Sequence, residues 1–145
     1  EEVSTDPDHL VPIGKADIKR AGNDVTIVSI GGCLLPAMAA AKVLEQEGIS
    51  VEIVDPRTLV PLDKDTIIQS VAKTGRVVLL DIANRTCNAA AEIGAMIAEE
   101  AFESLKKPII RLGTPDVHIP FSPALEKPLF VNKDAVIAAV KHLLK

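Results

Sequence analysis

Cys33, Cys87 and His118 are the residues of this sequence whose types could carry nucleophilic chemistry. Cys33 stands between a predicted strand and a predicted helix, where the helix dipole would stabilise a thiolate. Enzymes that hold a nucleophile at such a turn place small residues on both sides of it, whereas Leu34 and Leu35 follow Cys33. A histidine base is not close in sequence, although the fold could bring His118 near. We therefore expect a buried, inert thiol and keep a small Cys33-dependent enzyme as an alternative.

A pair of glycines after the first long predicted strand imitates a dinucleotide-binding turn. Gly31 and Gly32 form the turn, and Asp55 follows the next predicted strand, where an acidic residue would bind a ribose. The full G-x-G-x-x-G pattern is not present, and Pro36 removes one of the backbone N–H groups that would hold a phosphate. The prediction is a tight turn without a cofactor. A self-contained nucleotide- or flavin-binding module is the second alternative.

The proline-rich loop around His118, with the sequence PDVHIPFSP, follows the last predicted strand. Ligands of open α/β sheets bind outside the carboxyl ends of the strands, so a site is expected at this loop and its neighbours. One histidine and one phenylalanine among prolines favour a protein interface or a lid over a catalytic centre. His9 and His142 are expected to be solvated, and no carboxylate pair stands at metal-ligand spacing. The sequence therefore predicts no catalytic, cofactor-binding or metal-binding residue in this chain.

The composition indicates one α/β domain without a nucleic-acid partner. Hydrophobic residues make up 48% of the 145 residues and aromatic residues only 2%, so Val, Ile, Leu and Ala must build the core. These residue types are typical of a parallel sheet covered by helices on both faces. The 16 basic and 20 acidic residues form no basic block, which argues against nucleic acid. Two cysteines are too few for a disulfide framework, so a cytoplasmic location is expected.

The uncharged segment from Val25 to Ala41 is close in length to a short membrane span. Gly31, Gly32 and Pro36 interrupt it, and the hydrophobic period changes at the glycines. A buried strand followed by an alanine-rich helix explains the segment better, so no membrane partner is predicted.

The chain is predicted to hold a linker followed by one domain. Residues 1–12 are polar, proline-punctuated and without periodicity, and residues 13–145 form the domain. Gly14 to Asp24 are predicted to contain a short, charged edge strand. A pattern of buried strand, turn and amphipathic helix then repeats four times. The four strands are predicted at Val25–Ile30, Val51–Val54, Val77–Leu80 and Ile109–Leu112.

Four predicted helices carry sequence signals at their ends. The first runs from Leu35 to Glu47, and the other three begin after the capping residues Asp63, Asn88 and Asn132. Each helix is predicted to have one face directed at the sheet. In chain order, the residues of these inward faces are Ala37, Ala40, Ala41 and Leu44; Ile67, Val71 and Ala72; Ile93, Met96, Ile97, Ala101 and Leu105; and Val136, Ile137, Val140 and Leu144. This alternation predicts an α/β fold, a three-layer α/β/α sandwich around a mostly parallel five-stranded sheet with one antiparallel edge strand.

Three segments of the sequence resemble segments of a known family and occur in the same order as they do there. VPIGKADIKRAGNDVTIVSIG resembles the entry to a transketolase C-terminal-like domain, and VEIVDPRTLVPLDKDTIIQSVAKTGRVVLLD resembles the central segment of that domain. TPDVHIPFSPALEKPLF resembles the loop after its last core strand, and it favours the β subunits of thiamine-diphosphate-dependent 2-oxo-acid dehydrogenases. The resemblance extends from about Val11 to the end of the sequence.

The resemblance implies an accessory part of an oxidoreductase that acts on pyruvate, another 2-oxo acid or acetoin. In that family, a pyrimidine-binding domain of the β subunit and the α subunit hold thiamine diphosphate and magnesium, and residues 1–12 resemble the connector from that domain. The C-terminal domain contacts the α subunit and a second β subunit in a heterotetramer, and it contributes to docking of the lipoyl acyltransferase core. The chain by itself is therefore expected to bind no cofactor and to be inactive.

Two departures from the family pattern follow the third long strand. Asp81-Ile82 replace a His-Glu pair that many relatives have, and Cys87-Asn88 replace a later Gly-Gly. Any interaction that the family draws from the His-Glu pair is therefore not expected here. The phrase DIANRTCNAAAEI resembles acetoin-cleaving dehydrogenase β subunits more than the pyruvate or branched-chain ones.

The loop from Thr114 to Phe130 collects apolar side chains among four prolines. Proline stiffens a loop and lowers the entropy lost when the loop docks, which suits a preformed contact surface. We therefore expect the domain to self-associate through this loop. The interface candidates are His118, Phe121, Leu125 and Phe130 of the loop, together with Asp81.

Overall fold

The computed structural model describes residues 5, 6, 8 and 10–145, and its centre is a five-stranded mixed sheet. The strands are β1 (Asp17–Arg20), β2 (Val25–Ser29), β3 (Val51–Asp55), β4 (Val77–Asn84) and β5 (Ile110–Thr114). Their order across the sheet is β1-β3-β2-β4-β5. β1 runs antiparallel to β3, and the other neighbouring pairs are parallel. The predicted fold class, including the antiparallel edge strand, is confirmed.

The helices connect the parallel strands and close the chain. They are α1 (Leu34–Gln46), α2 (Lys64–Thr74), α3 (Ala89–Glu100), the one-turn α4 (Pro123–Glu126) and α5 (Lys133–Leu144). Short 3-10 helices occupy Gly31–Cys33, Phe102–Ser104 and Lys127–Leu129. α4 was not predicted, because four residues give no hydrophobic period. Its start is nevertheless encoded by Pro123 at the first turn, directly after Ser122.

Two apolar clusters hold the three layers together, one on each face of the sheet. α1 and α5 cover the face that presents Val25 and Ile27, and α2 and α3 cover the face that presents Val28. Successive strand side chains point to opposite faces, so β2 contributes to both clusters and is buried throughout. The predicted inward face of α1 is confirmed, since Ala37, Ala40, Ala41 and Leu44 are all buried. The small alanines let this helix approach the sheet closely.

The predicted helix caps are confirmed by hydrogen bonds. The side chain of Asp63 accepts a hydrogen bond from the Thr66 amide at 3.3 Å. Asn88 and Asn132 accept in the same way from the amides of Ala91 and Ala135, at 3.0 and 2.9 Å. Each bond satisfies a backbone donor that the first helical turn leaves without a partner.

The predicted inward face of α2 is partly wrong. Ala72 is exposed, and Ser70 and Thr74 are buried in its place. The physical reason lies on β2, where Thr26 presents a hydroxyl toward the helix. Its Oγ1 lies 2.8 Å from Ser70 Oγ and 2.9 Å from Thr74 Oγ1, so the helix turns its hydroxyl face toward the sheet.

The predicted faces of the last two long helices differ in smaller ways. α3 ends at Glu100, so Ala101 is buried just beyond the helix and Leu105 follows a 3-10 turn. In α5 the buried residues are Val136, Ala139, Val140 and Leu143. Ile137 and Leu144 were predicted inward but are only half-buried. A small Ala139 on the inward side lets α5 approach its neighbours, and the sequence pattern cannot distinguish this rotation from the predicted one.

A buried polar network, here called the Glu52 cluster, consists of Thr26, Glu52, Ser70, Lys73 and Thr74. Ser70 Oγ and Lys73 Nζ both donate to the carboxylate of Glu52, which is 1% exposed. The backbone amide of Gly22 donates a third hydrogen bond at 3.3 Å. Burial by itself raises the pKa of Glu52, but these hydrogen bonds outweigh it, so the pKa lies below its ordinary value.

The uncharged segment that resembled a membrane span folds as predicted. It forms β2, the 3-10 turn at Gly31–Cys33 and the first half of α1. Among the described residues, no helix combines the length and the apolar character that crossing a membrane requires.

The prediction for His9 falls outside the described residues, and the assignment of residues 1–12 as a linker stays a prediction.

Candidate functional site

The parallel strands β2 to β5 all end at the same edge of the sheet, where the last residues of β4 and the segments that follow the strands form one surface. This surface, called the carboxyl rim below, comprises residues 30–35, 56–62, 82–88 and 115–130. Open α/β sheets bind their ligands in this position. The carboxyl rim is therefore the place to look for a catalytic or binding site.

The carboxyl rim is unusually rich in exposed apolar side chains. Eight of the 13 exposed large hydrophobic residues of the described chain lie on it: Leu35, Leu59, Val60, Ile82, Val117, Ile119, Phe121 and Leu125. Val60 is 93% exposed and Phe121 is fully exposed. Exposed apolar side chains concentrated at one edge of a domain are typical of a contact site for another molecule, because exposed hydrophobic residues are normally scattered singly.

Hydrogen bonds fasten the loop after β5 to the turn after β4. Asp116 accepts from the hydroxyl of Thr86 at 2.6 Å and from its backbone amide at 3.1 Å. The Thr86 hydroxyl is the largest cause that lowers the pKa of the Asp116 carboxyl. Asn84 Nδ2 also donates to the carbonyl of Pro115 at 3.2 Å. The apolar residues of this part of the rim are therefore carried on a segment whose entry is fixed.

The 56–62 loop is held from the opposite side by the chain that leads into β1. The amide of Gly14 donates to Thr58 Oγ1 at 3.1 Å, and the amide of Ala16 donates to Asp63 at 3.0 Å. The Ala16 amide is the largest cause that lowers the pKa of Asp63. Arg57 Nη2 donates to Asp17 at 2.7 Å. These bonds present Leu59 and Val60 outward on a fixed loop.

The five predicted interface candidates do not share one environment. His118, Phe121 and Leu125 are exposed on the carboxyl rim, and Phe130 is half-buried at its end. Asp81 is only 3% exposed and lies beneath the rim. Its carboxylate accepts hydrogen bonds from the amides of Ala83 at 3.0 Å and Ala90 at 3.3 Å. Asp81 therefore ties the last residues of β4 to the start of α3, while the other four candidates lie at or near the surface.

A pocket of about 570 Å³ opens beside the 56–62 loop. Its wall is mostly apolar and comes from this loop and from the start of α3; the lining residues are Leu59, Val60, Leu62, Cys87, Asn88, Ala89, Ala91, Glu92 and Ile93. The volume lies within the usual range of ligand pockets, roughly 300–1,000 Å³. Glu92 supplies the only carboxylate of the lining.

The glycine turn and Asp55 do meet in a second, smaller pocket. Ile30, Gly31, Asp55, Arg57 and Leu59 are among the residues that line this space of about 320 Å³. The turn is nevertheless a poor phosphate cradle. The amide of Cys33 donates to the Ile30 carbonyl and the amide of Leu34 to the Gly31 carbonyl, so neither is free for an anion.

Cys33 lacks the environment of a nucleophile. It is buried, packed among the apolar residues of the α1 face. Burial raises the pKa of its thiol to about 11, and the carboxylate of Asp81 adds to the increase. A thiol with that pKa is protonated at neutral pH, so Cys33 is unsuited to thiolate chemistry. Cys87 is exposed on the carboxyl rim and has a left-handed backbone, with φ of 58°.

The described part of the chain contains no group of three or more His, Cys, Asp or Glu residues placed to hold a metal ion. Its rim offers an apolar surface and two open pockets. The sequence predicted a contact surface at the 115–130 loop. It did not predict that Leu35, Val60 and Ile82 are exposed at the same edge of the sheet. Their signal was an apolar residue within six positions of the end of three predicted strands, in segments that a parallel sheet brings to one edge.

The fold and the rim together define an α/β sandwich domain whose strand-end segments present an apolar contact surface. The family model "Transketolase, C-terminal domain" matches residues 14–136. The chain therefore belongs to the transketolase C-terminal domain family, and the family resemblance of its sequence phrases is confirmed.

Relatives of the chain are β subunits of oxidoreductases. It is 42% identical over 136 residues to the acetoin:2,6-dichlorophenolindophenol oxidoreductase subunit beta of Bacillus subtilis (strain 168), covering 94% of this chain and 40% of that protein. It is 40% identical over 145 residues to the pyruvate dehydrogenase E1 component subunit beta of Staphylococcus epidermidis (strain ATCC 35984 / DSM 28319 / BCRC 17069 / CCUG 31568 / BM 3577 / RP62A), covering 100% of this chain and 44% of that protein. The chain thus spans less than half the length of these relatives.

A solved structure described as "Split gene transketolase, inactive beta4 tetramer" has the same fold. It superposes with a TM-score of 0.77 at 33% sequence identity, covering 99% of this chain and 45% of that chain. The identities to the relative named for acetoin and to the relative named for pyruvate, 42% and 40%, are too close to favour one of the two names over the other.

Proposed function

We propose that this chain is the C-terminal assembly domain of the β subunit of a 2-oxo-acid or acetoin dehydrogenase. In this proposal the domain supports association with an α subunit and a second β subunit in a heterotetramer. It also contributes to docking of the lipoyl acyltransferase core in the cytoplasm. The thiamine diphosphate and Mg²⁺ chemistry takes place on other parts of the enzyme, and this domain alone is inactive.

The observation that carries the proposal is the apolar carboxyl rim. α/β enzymes of this architecture place acids, bases and phosphate-binding amides where this domain exposes Val60, Ile82 and Phe121. The protonated, buried Cys33 and the amides of Cys33 and Leu34, which already donate within the turn, weaken both the enzyme and the nucleotide-binding alternatives. An apolar surface on fixed loops is what a preformed subunit interface requires.

Light scattering behind a sizing column tests the association. The chain has a mass of 15.4 kDa, and we expect a mass near twice this value at high micromolar concentration. A strictly monomeric mass at that concentration would count against self-association. Co-purification with the α subunit from the same gene cluster tests the second contact, and failure of both contacts would overturn the assembly role.

Calorimetric titration with thiamine diphosphate and Mg²⁺ tests the accessory role. The rim provides neither a phosphate cradle nor a carboxylate cluster within the described residues, so we expect no saturable heat. Micromolar binding to the chain alone would show that the domain holds the cofactor itself.

A further inference from the structure

β5 is an edge strand whose outer side has no partner strand among the described residues. The strand order ends at β5, and its register pairs all join it to β4. The one main-chain hydrogen bond to β5 from outside the sheet, within the described chain, is donated by Arg85, which follows β4, to the carbonyl of Thr114 at 2.8 Å. Alternate residues of a strand direct their N–H and C=O groups to opposite sides, so part of the β5 backbone is open to an added strand.

The other edge of the sheet, at β1, is less suited to an added strand. Its register with β3 shifts between Ile18 and Arg20. Its charges are also paired within the fold, Lys19 with Asp17 at 2.7 Å and Arg20 with Glu45 at 2.6 Å. Irregular edge strands that carry charges resist foreign pairing. β5, by contrast, keeps a regular register with β4 over residues 110–112.

Two pockets flank β5, one on each side of the sheet. A pocket of about 310 Å³ on the side of α3 is lined by Ala91, Gly94, Ala95, Ile109 and Arg111. A pocket of about 430 Å³ on the side of α5 is lined by Lys107, Pro108, Ile110, His142, Leu143 and Lys145. Each lining includes a residue of β5 itself. Strand side chains point alternately to the two sides of a sheet, so a strand beside β5 would direct its side chains into the two pockets in turn.

The flanks of β5 carry positive charges without acidic partners. Lys107 and Lys145 are exposed and Arg111 is half-buried, and none of the three forms an ion pair within the described residues. The Arg111 guanidinium donates instead to the Arg85 carbonyl at 3.4 Å. Neither lining includes an Asp or Glu of the described chain, although acidic residues outnumber basic ones by 20 to 16 in the sequence. Such an edge repels a basic strand and attracts an acidic one.

We propose that the outer edge of β5 binds an acidic, extended segment of a partner protein as an added strand. Carboxylates of the segment face Lys107 and Lys145 on the side of α5, and its small apolar side chains enter the pocket between α3 and Arg111. Main-chain hydrogen bonds supply the affinity, and the two pockets select the side chains. The contact lies along the side of the sheet rather than on the carboxyl rim, so it goes beyond the assembly role proposed above.

A synthetic peptide that alternates glutamate and valine over about eight residues is the probe. Fluorescence anisotropy of the labelled peptide, titrated with the whole chain, should give a Kd of about 10–100 μM. A peptide with lysine in place of glutamate should not bind. Absence of saturable binding, or equal binding of the two peptides, overturns the proposal.

Amide hydrogen exchange, followed by NMR, distinguishes an added strand from loose attraction between charges. With saturating peptide, the amides of residues 110–114 that point away from β4 should exchange about tenfold more slowly. The amides of β1 at the opposite edge are the internal control and should not change. Binding that leaves exchange at β5 unaltered contradicts the added strand.

Charge reversal tests the flanks of β5. Lys107→Glu and Arg111→Glu should each weaken peptide binding by about tenfold. Lys42→Glu is the matched control, because it changes the net charge equally on the exposed side of α1, which packs on β2 and β3. An equal loss in the control would mean that net charge alone attracts the peptide, which overturns the site. Unfolding curves verify that each variant is folded, and Lys107→Glu, at an exposed position, keeps the test valid if Arg111→Glu is unstable.

Competition identifies any other occupant of the edge. A single-stranded oligonucleotide of the same charge should not displace the peptide, and displacement would assign the edge to nucleic acid instead. Light scattering with and without saturating peptide should give the same mass for the chain. Dissociation of an oligomer by the peptide would assign the edge to a second copy and overturn the proposal, while the proposed self-association would stand.

Discussion

The α1 face of the sheet and the carboxyl rim are built from similar apolar side chains in opposite surroundings. On the α1 face, Ile27 and Leu44 are completely buried among alanines. On the carboxyl rim, Val60 and Phe121 are almost entirely in contact with solvent. This difference in exposure gives apolar residues two different roles in this protein. Apolar groups on the α1 face stabilise the folded chain, whereas those on the rim are available to stabilise an association.

The polar groups of the two regions differ in the same way. In the interior, the carboxylate of Glu52 accepts hydrogen bonds from Ser70, Lys73 and the Gly22 amide. Next to the rim, in the first turn of α3, the exposed carboxylate of Glu92 makes no such contact within the part of the chain that the structure describes. A buried charge needs hydrogen bonds or an ion pair within its own fold. An exposed charge is solvated by water and remains available to another molecule. Substitutions in the interior should therefore change stability, and those on the rim should change association.

The largest effect is expected at Gly22, in the interior. A Cβ at this position would overlap the backbone of Val51 and Glu52, which cannot move without disturbing β3. Gly22→Ala should lower the free energy of unfolding by about 3 kcal/mol, measured by urea denaturation. Gly32→Ala is the control, because its Cβ would lie 3.6 Å from Ile82 Cγ2, an ordinary contact. Equal stability of the two variants would show that the Gly22 approach is not tight.

Ala40→Leu tests the packing of α1 against the sheet. Ala40 is completely buried, so three additional carbon atoms must push the helix outward. The free energy of unfolding should fall by about 1–3 kcal/mol. Ala138→Leu places the same side chain on the exposed side of α5 and should have little effect. If the two variants unfold at the same urea concentration, the interior is less tightly packed than the structure indicates.

Glu52→Gln tests the polar interior and its pH dependence. At neutral pH the variant should be about 1–2 kcal/mol less stable, because a neutral amide replaces a carboxylate that accepts three hydrogen bonds. The folded pKa of Glu52 lies below its ordinary value of 4.5, so the contribution is fully present above pH 4.5. It is lost as the pH falls through the lowered folded pKa. Urea denaturation across this range should show the two proteins converge in acid, and a constant difference would contradict the shift.

The smallest effect on stability is expected at Phe121 on the rim. Its side chain buries nothing in the single chain, so Phe121→Ser should change the free energy of unfolding by less than about 0.5 kcal/mol. The measurement is urea denaturation at a concentration where the chain is monomeric. A loss comparable to that of Ala40→Leu would mean that the rim belongs to the interior after all.

Much of the fold could be predicted from short-range patterns. The caps at Asp63, Asn88 and Asn132 and the alanine face of α1 follow from residue types and helical spacing, and all four appear as predicted. The faces of α2 and α5 could not be predicted as well. The rotation of each helix about its axis depends on the side chains of the neighbouring elements that pack against it. The pattern within one helix contains no information about those side chains.

The candidate site could be predicted only in part. The sequence indicated the 115–130 loop, because its apolar residues and prolines are contiguous. It could not assemble Leu35, Val60 and Ile82 into one surface with that loop, since they come from three separate segments. It also placed Asp81 among the interface candidates, whereas the structure shows the carboxylate turned inward to the amides of Ala83 and Ala90.

The sequence by itself determined the alternation of strands and helices, their ends and the family, because propensity, capping and hydrophobic period act between neighbouring residues. Only the tertiary structure decided which apolar residues remain exposed, which buried charges find partners, and which separate segments meet along the carboxyl rim. These depend on contacts between residues far apart in the chain, such as Glu52 with Gly22 or Asp116 with Thr86. Such contacts exist only after the sheet has brought the ends of its parallel strands to a common edge.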